Sequence, residues 1–319
     1  ITFSEEYENY KENVEGQKLT SEDATIHLTS TVCDDGFTIL EFDIKLMEER
    51  DDIDSVYVSF NNKLITDEMG TYLEGLNNYS LIIDGKDYWI RPRSAQTITK
   101  ISNTQYKLYQ MYFLTDKELG TKQEFTITLR DVVIEITDTQ EEPVTQYLPF
   151  DGQFDIKVSK EEAVENTKII VPECEEIQYK DMTKKVEKVM ITPLQTIVKL
   201  STIYEDVSLD KLTNTDNVNH INIIEYEAYD EDGKSLNVCS YETQRIVTYA
   251  DGRVEEWEQG DIGTSKKFTH GKMELTEYVI IEKHEENPNL KLTLKERIET
   301  RGEREYITIG NFNLHLKDE

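Results

Sequence analysis

The residues of this chain whose chemistry exceeds packing are five histidines, three cysteines and 65 carboxylates. Nucleophilic catalysis needs a Ser or Cys beside a His that a carboxylate orients, and no GxSxG elbow occurs. His27 falls at an outward position of an alternating segment, and His315 lies in a terminal one. His220, His270 and His284 stand beside turn-forming residues, where an imidazole is ordinarily a solvated surface group. His284-Glu285-Glu286 lacks the second histidine of HExxH, and Pro288 would break the helix that sets two ligands on one face. Cys33, Cys174 and Cys239 include no CxxC pair and no histidine at ligand spacing, so no zinc site is expected. One Cys174–Cys239 bridge and three free buried thiols both fit the count.

Other motifs fail on spacing. Asp230-Glu231-Asp232-Gly233 has the composition of a calcium loop, but Ala228 takes the first ligand position and Cys239 the twelfth, where a bidentate Glu belongs; a hairpin turn accounts for it. Gly260 to Lys267 lacks the GxxxxGK[ST] interval. So many carboxylates guarantee close acid pairs in any fold, which leaves a glycosidase pair illegible. Catalytic, metal-binding and cofactor-binding residues are therefore read as none, no cofactor is expected, and the ligand-binding residues are unknown. Tyr106, Tyr109, Tyr112 and Phe113 could form a binding platform, although core filling and cross-strand pairing explain such aromatics more simply. One sequon, Asn78-Tyr79-Ser80, is present.

The elements that must position these residues are strands. Period-two alternation is clearest at 25–46, where Ile26, Leu28 and Val32 precede an Asp35-Gly36 turn and Phe37, Ile39, Phe42, Ile44 and Leu46 follow it. The same grammar recurs at Leu81–Ile90 around Asp84-Gly85, at Ile221–Val238 around Asp232-Gly233, and at Val247–Trp257 around Asp251-Gly252. Further strands are expected at Val56–Phe60, Tyr106–Phe113, Phe125–Leu129, Val132–Ile136, Phe154–Val158, Val186–Ile191, Thr196–Tyr204, Met273–Glu282, Leu290–Ile298, Arg304–Ile309 and Phe312–Leu316. Helical signal is confined to Ser4–Glu15, Asp67–Gly75 and single turns near Asp116 and Leu209. Without crossover helices a parallel sheet has no connections, so the pairing is antiparallel.

The fold class expected is all-β, as two immunoglobulin-like sandwiches in tandem with a few short helices, spanning 1–160 and 161–319. The break is placed in Ser159–Thr167, where Lys160-Glu161-Glu162 interrupts the alternation. The polar stretch Asp138–Pro149 has linker composition, but the strand pattern of Phe150–Val158 returns after it. The formal charge of −30 is shared by both halves, 31 acids against 15 bases in 1–160 and 34 against 20 in 161–319. Such a field repels nucleic-acid phosphates and anionic lipid, so neither nucleic acid nor direct membrane binding by this stretch is expected. No apolar run approaches the ~18 residues that span a bilayer, and Ile1 reads as a processed or cut end.

Val14-Glu15-Gly16-Gln17, the hairpin at Asp35-Gly36, Gly152-Gln153-Phe154-Asp155-Ile156-Lys157-Val158, Val186 to Thr196 and Tyr226 to Leu236 together form an order that resembles a known arrangement. It is similar to the paired extracytoplasmic domains, of unknown function, in Gram-positive membrane-anchored anti-sigma factors. The resemblance covers nearly the whole chain. It implies a non-enzymatic sensory or regulatory ectodomain at the cell surface, a membrane anchor upstream of Ile1, and an unidentified protein or cell-envelope ligand as partner. Neither the sigma-binding segment nor the spanning helix lies within the 319 residues, and no ligand residue carries over. The alternative is a secreted or surface-attached adhesion or carbohydrate-binding sandwich protein.

Overall fold

A computed structural model describes the chain apart from residues 1–4, 15, 35–36, 62–64, 67–71, 74–79, 90–93, 114–121, 140–143, 161–164, 174, 208–222, 258–270, 283–288, 301–302 and 317–319. It divides into two compact units whose bodies are Tyr7–Glu165 and Asn166–Glu319. Every ladder in both is antiparallel.

The first unit follows a 3-10 turn, Glu5–Tyr10, with β1 (Glu12–Asn13), β2 (Lys18–Thr20), β3 (Ala24–Cys33), β4 (Phe37–Leu46), β5 (Ile53–Ser59), β6 (Ile65–Thr66), β7 (Tyr72–Leu73) and β8 (Ser80–Ile83). It continues through β9 (Lys86–Trp89), β10 (Ser94–Lys100), β11 (Gln105–Phe113), β12 (Glu124–Leu129), β13 (Val133–Asp138), β14 (Thr145–Pro149) and β15 (Phe154–Ser159). One sheet runs β1-β3-β4-β11-β10 with β2 also on β3; others run β15-β12-β8-β9, β14-β13-β5 and β6-β7. Their inner faces share one core that includes Ile26, Leu28, Phe42, Leu108, Ile127, Ile134 and Phe154. A bulge at Thr29 shifts the parity of β3, so Leu28 before it and Cys33 after it reach the same core. Asp84 and Gly85 both take positive φ, 49° and 77°, the geometry of a two-residue hairpin turn that matches strand twist.

The second unit comprises β16 (Lys168–Ile170), β17 (Glu176–Tyr179), β18 (Met182–Ile191), β19 (Gln195–Val207), β20 (Ile223–Tyr229), β21 (Ser235–Leu236), β22 (Val238–Tyr249), β23 (Val254–Trp257), β24 (Gly271–Glu282), β25 (Asn289–Thr300) and β26 (Glu303–His315). A seven-stranded sheet, β16-β18-β19-β24-β22-β23 with β17 on β18, opposes a four-stranded sheet, β21-β20-β25-β26. Val186, Val198, Leu200, Val279 and Ile281 of the first meet Ala228, Leu292, Leu294 and Phe312 of the second. Each of the Val, Leu, Ile and Phe side chains among these, fully buried, contributes roughly 1.5–3 kcal/mol of transfer free energy.

Several expectations need correction. The helix expected over Ser4–Glu15 is the 3-10 turn and then β1, because Tyr7 is drawn down onto Glu41 while Glu12 and Asn13 pair with β3. An isolated helix that short has little stability of its own to resist those contacts. Within Asp67–Gly75, Tyr72 and Leu73 are strand; the other residues of that stretch, and the turns near Asp116 and Leu209, lie outside the described residues. The two C-terminal strands are one, β26, which passes Gly310 through a bulge at Ile309 rather than turning. The linker-like stretch after Asp138 carries β14, which pairs with β13 through five residue pairs. Cys239 is a free, exposed thiol, and Cys174 lies outside the described residues, as does the Asp35-Gly36 turn.

Candidate functional site

Among the described residues, a dense group of interior ionisable side chains lies in the second unit. Lys184 of β18 stands opposite Thr202 of β19, Glu277 of β24 stands opposite Leu200, and Tyr226 approaches from β20 of the facing sheet. The Lys184 side chain is 1% exposed. Its ammonium donates to the Glu277 carboxylate and to the Tyr226 hydroxyl and lies 5.1 Å from the centre of the Tyr226 ring. Tyr226 donates to Glu277 Oε1 at 3.0 Å and Thr202 to Oε2 at 2.6 Å. Burial alone would raise the Glu277 carboxyl; the Lys184 charge and the donors around it more than offset that and hold it below the ordinary carboxylate range. Burial, then the Glu277 charge, drives the Tyr226 hydroxyl well above its ordinary value. The set is therefore a carboxylate, an ammonium and a neutral phenol closed on one another. It interrupts the apolar face of the sheet, with Val186, Leu200 and Val279 on one side and a smaller cluster of Val247, Tyr249 and Met273 on the other.

Another carboxylate of this unit, Glu296 of β25, is more deeply buried than the half-buried Glu277; it accepts from Tyr179 at 2.7 Å and pairs with Lys180 at 2.8 Å. Lys180 occupies the two-residue turn between β17 and β18 with φ of 53°, a conformation few non-glycine residues take. Burial would raise the Glu296 carboxyl, but Lys180 and Tyr179 lower it overall.

The first unit holds its own version. Glu41 of β4 is 1% exposed; Tyr7 donates to its Oε1 at 2.6 Å, while Oε2 faces the ammonium groups of Lys11 at 2.9 Å and Lys107 at 3.5 Å. Against the penalty of burial, these partners lower the Glu41 carboxyl, and burial followed by the Glu41 contact raises the Tyr7 hydroxyl far above its ordinary range. Glu41 lies on the face of the sheet opposite Leu40 and Phe42, and the 3-10 turn covers it.

A depression of about 380 Å³ opens at the ends of β12 and β15, lined by Glu12, Asp84, Glu124, Thr126, Lys157 and Ser159 among others. Asp84 is committed there: it pairs with Lys122 at 2.5 Å, accepts the Thr126 amide at 2.8 Å, and is lowered chiefly by Lys122. Among the described residues no group of three or more His, Cys, Asp or Glu is placed to hold a metal ion.

The aromatic platform is divided by the pleat. Tyr106 and Tyr112 are buried with Leu108 in the core, whereas Tyr109 is half-buried on the other face; the Phe113 side chain lies outside the described residues. His27 is half-buried on β3 and His315 exposed on β26, where it meets Asn289 at 2.6 Å. His220, His270, His284 and the sequon asparagine fall outside the described residues. Sequence reasoning missed Glu41, Lys184, Glu277 and Glu296. A usable signal existed for three of them: Lys184 between Met182 and Val186, Glu277 between Leu275 and Val279, and Glu296 between Leu294 and Ile298 are charges at apolar positions of an alternating strand.

No family model matches the sequence, and no curated protein does. Among solved structures, a conserved domain protein from Bacillus anthracis is similar in fold, with a TM-score of 0.55 at 9% identity over 98% of this chain and 94% of that one. The C-terminal domain of the Streptococcus pyogenes antigen I/II-family protein AspA aligns with a TM-score of 0.20 at 8% identity over 92% of this chain and 99% of that one. The first likeness concerns the fold alone; the second is too slight to bear on it.

Proposed function

We propose that this chain is a non-enzymatic sensory or regulatory ectodomain, an extracytoplasmic pair of immunoglobulin-like sandwiches belonging to a membrane-anchored, anti-sigma-like protein of a Gram-positive cell. The observation that carries the reading is how the buried charges are used. Glu41, Glu277 and Glu296 are each closed on lysine and tyrosine partners of their own unit, an arrangement that stabilises sheet packing and leaves none of the three poised as an acid or base toward a substrate. Working parts of such a protein are its surfaces and edges. The fold likeness to the Bacillus anthracis protein extends over both units.

A regulator of this kind transmits a signal by favouring one of two states, so its partner must distinguish them. The test is made on the full-length protein in cells. Deleting Tyr7–Glu319 while keeping the upstream coding region should change transcription from promoters of the associated sigma factor, and the cytoplasmic end should co-purify with that factor. A cleaved secretion signal in place of a spanning helix, with binding to a glycan array, would establish the adhesion reading instead. Turnover on a polysaccharide panel would refute both.

A further inference from the structure

We propose that the free edge of β26 at Glu305–Ile309 is a docking edge, onto which an extended, lysine- or arginine-bearing segment of a partner protein adds as one more strand. The inference is independent of the membrane-anchored reading, since it concerns one edge of one sheet.

Strand edges present unpaired amide and carbonyl groups, and proteins ordinarily blunt them by keeping edge strands short or covered. The second unit does so at other edges: β16 has three residues, β17 four and β21 two. β26 has 13 residues and stands at the end of its sheet, with β25 on one side. Among the described residues no backbone hydrogen bond joins Glu305–His315 to any strand but β25. Arg304 to Thr308 are five consecutive exposed residues, so both faces of this stretch are at least partly open to solvent. Tyr306 is 46% exposed and Ile307 38%, and as neighbours in a strand they project to opposite faces. An added strand would thus gain a ladder of backbone bonds along its length and one apolar contact on each face, the recognition mode of strand addition. The docking stretch has a defined end. The bulge at Ile309 interrupts the register, and Gly310 beyond it is pressed so closely on Ile177 that an added Cβ would lie 3.0 Å from its Cδ1.

Charge selects the occupant. A second copy of this chain would bring −30 against −30. The half containing β26 carries 34 acids against 20 bases, and the basic residues beside the stretch on β25 are engaged: Lys295 with Glu227 at 2.6 Å and Arg297 with Glu225 at 2.6 Å. The surrounding field therefore attracts a basic strand and repels both an acidic one and self-association.

The probe is a nine-residue synthetic peptide alternating lysine and valine, with a glutamate and valine counterpart, added to the intact chain and followed by amide hydrogen exchange. The basic peptide should slow exchange at residues 305–309 by about fivefold or more at low salt, and screening should weaken the effect near 0.5 M salt, where the Debye length falls to about 4 Å. Ile307→Lys should abolish the protection with only a small fall in melting temperature, because more than a third of the side chain is already exposed; Thr308→Lys serves the same purpose should the first variant melt early. Absence of protection with the basic peptide, equal protection by the acidic peptide, or protection of the same amides on concentrating the protein alone would overturn the proposal.

Discussion

Glu41 and Glu277 are both carboxylates withdrawn from water within a sheet, and they are compensated from opposite directions. Glu277 meets its cation inside the sandwich: Lys184 is as buried as any core leucine and its other donor bond goes to Tyr226 of the facing sheet. Glu41 meets its cations at the boundary with solvent, from Lys11 and Lys107, whose side chains are 18% and 31% exposed. The difference decides what happens when a partner is lost. A surface lysine released from a carboxylate turns to water, whereas a lysine in the interior keeps its charge where hydration cannot reach it.

The contrast makes ranked predictions. The largest effect is expected for Glu277→Gln, which strands the Lys184 ammonium and should cost about 3–5 kcal/mol in urea-induced unfolding. The double variant Lys184→Met with Glu277→Leu should recover most of that loss, since apolar residues of similar volume replace the charges without a desolvation cost. Failure of the double variant to recover would show that Thr202 and Tyr226, and not the charge, carry the stability.

Glu41→Gln should cost less, about 1–3 kcal/mol, because the Tyr7 hydroxyl keeps an acceptor and both lysines can hydrate. Equal losses at Glu41 and Glu277 would break the comparison outright.

Acidification reads both sites together. Folding lowers each carboxyl below its unfolded value, ordinarily about 4.3, so the stabilisation is fully present above that pH and is lost as pH falls through the folded values. Unfolding midpoints should therefore decline below about pH 5, and less steeply in Glu277→Gln. The buried hydroxyls of Tyr7, Tyr112 and Tyr226 are raised, which has the reverse sign: their contribution holds below the unfolded phenol value of about 10 and is lost as pH rises past it.

The smallest effect is expected for Tyr7→Phe, which removes one donor to Glu41 and keeps the ring; a loss near 1 kcal/mol is expected, measured as the shift in urea midpoint. Protease nicking ahead of Glu12 should quicken in this variant if the phenol pins the 3-10 turn to the sheet.

Much of the strand order was legible because one buried face imposes period two. β8 and β9 around Asp84-Gly85, β11, β12, β15, β19, β24 and β25 all follow from alternation and turn chemistry. β10, Ser94–Lys100, was illegible because polar residues predominate in it; it is held by β11 and by Gln96, which bonds both the Val58 backbone and Gln110. The continuity of β26 was also hidden, since Gly310-Asn311 has the composition of a turn and only the bulge against β25 lets the strand pass.

Charge shows the limit most clearly. In Met182-Thr183-Lys184-Lys185-Val186 and Leu275-Thr276-Glu277-Tyr278-Val279, each charge shares the face of its apolar neighbours, so local order alone marked it for burial. Glu41 gives no such sign: between Leu40 and Phe42 it takes the outward side, where a carboxylate belongs in water. Residues 34 positions earlier in the chain decided otherwise, when the turn carrying Tyr7 folded over it. Alternation is a property of neighbours along the chain and is written in the sequence; what lies over the second face of a sheet depends on which distant segment crosses it, and that is fixed by packing in three dimensions.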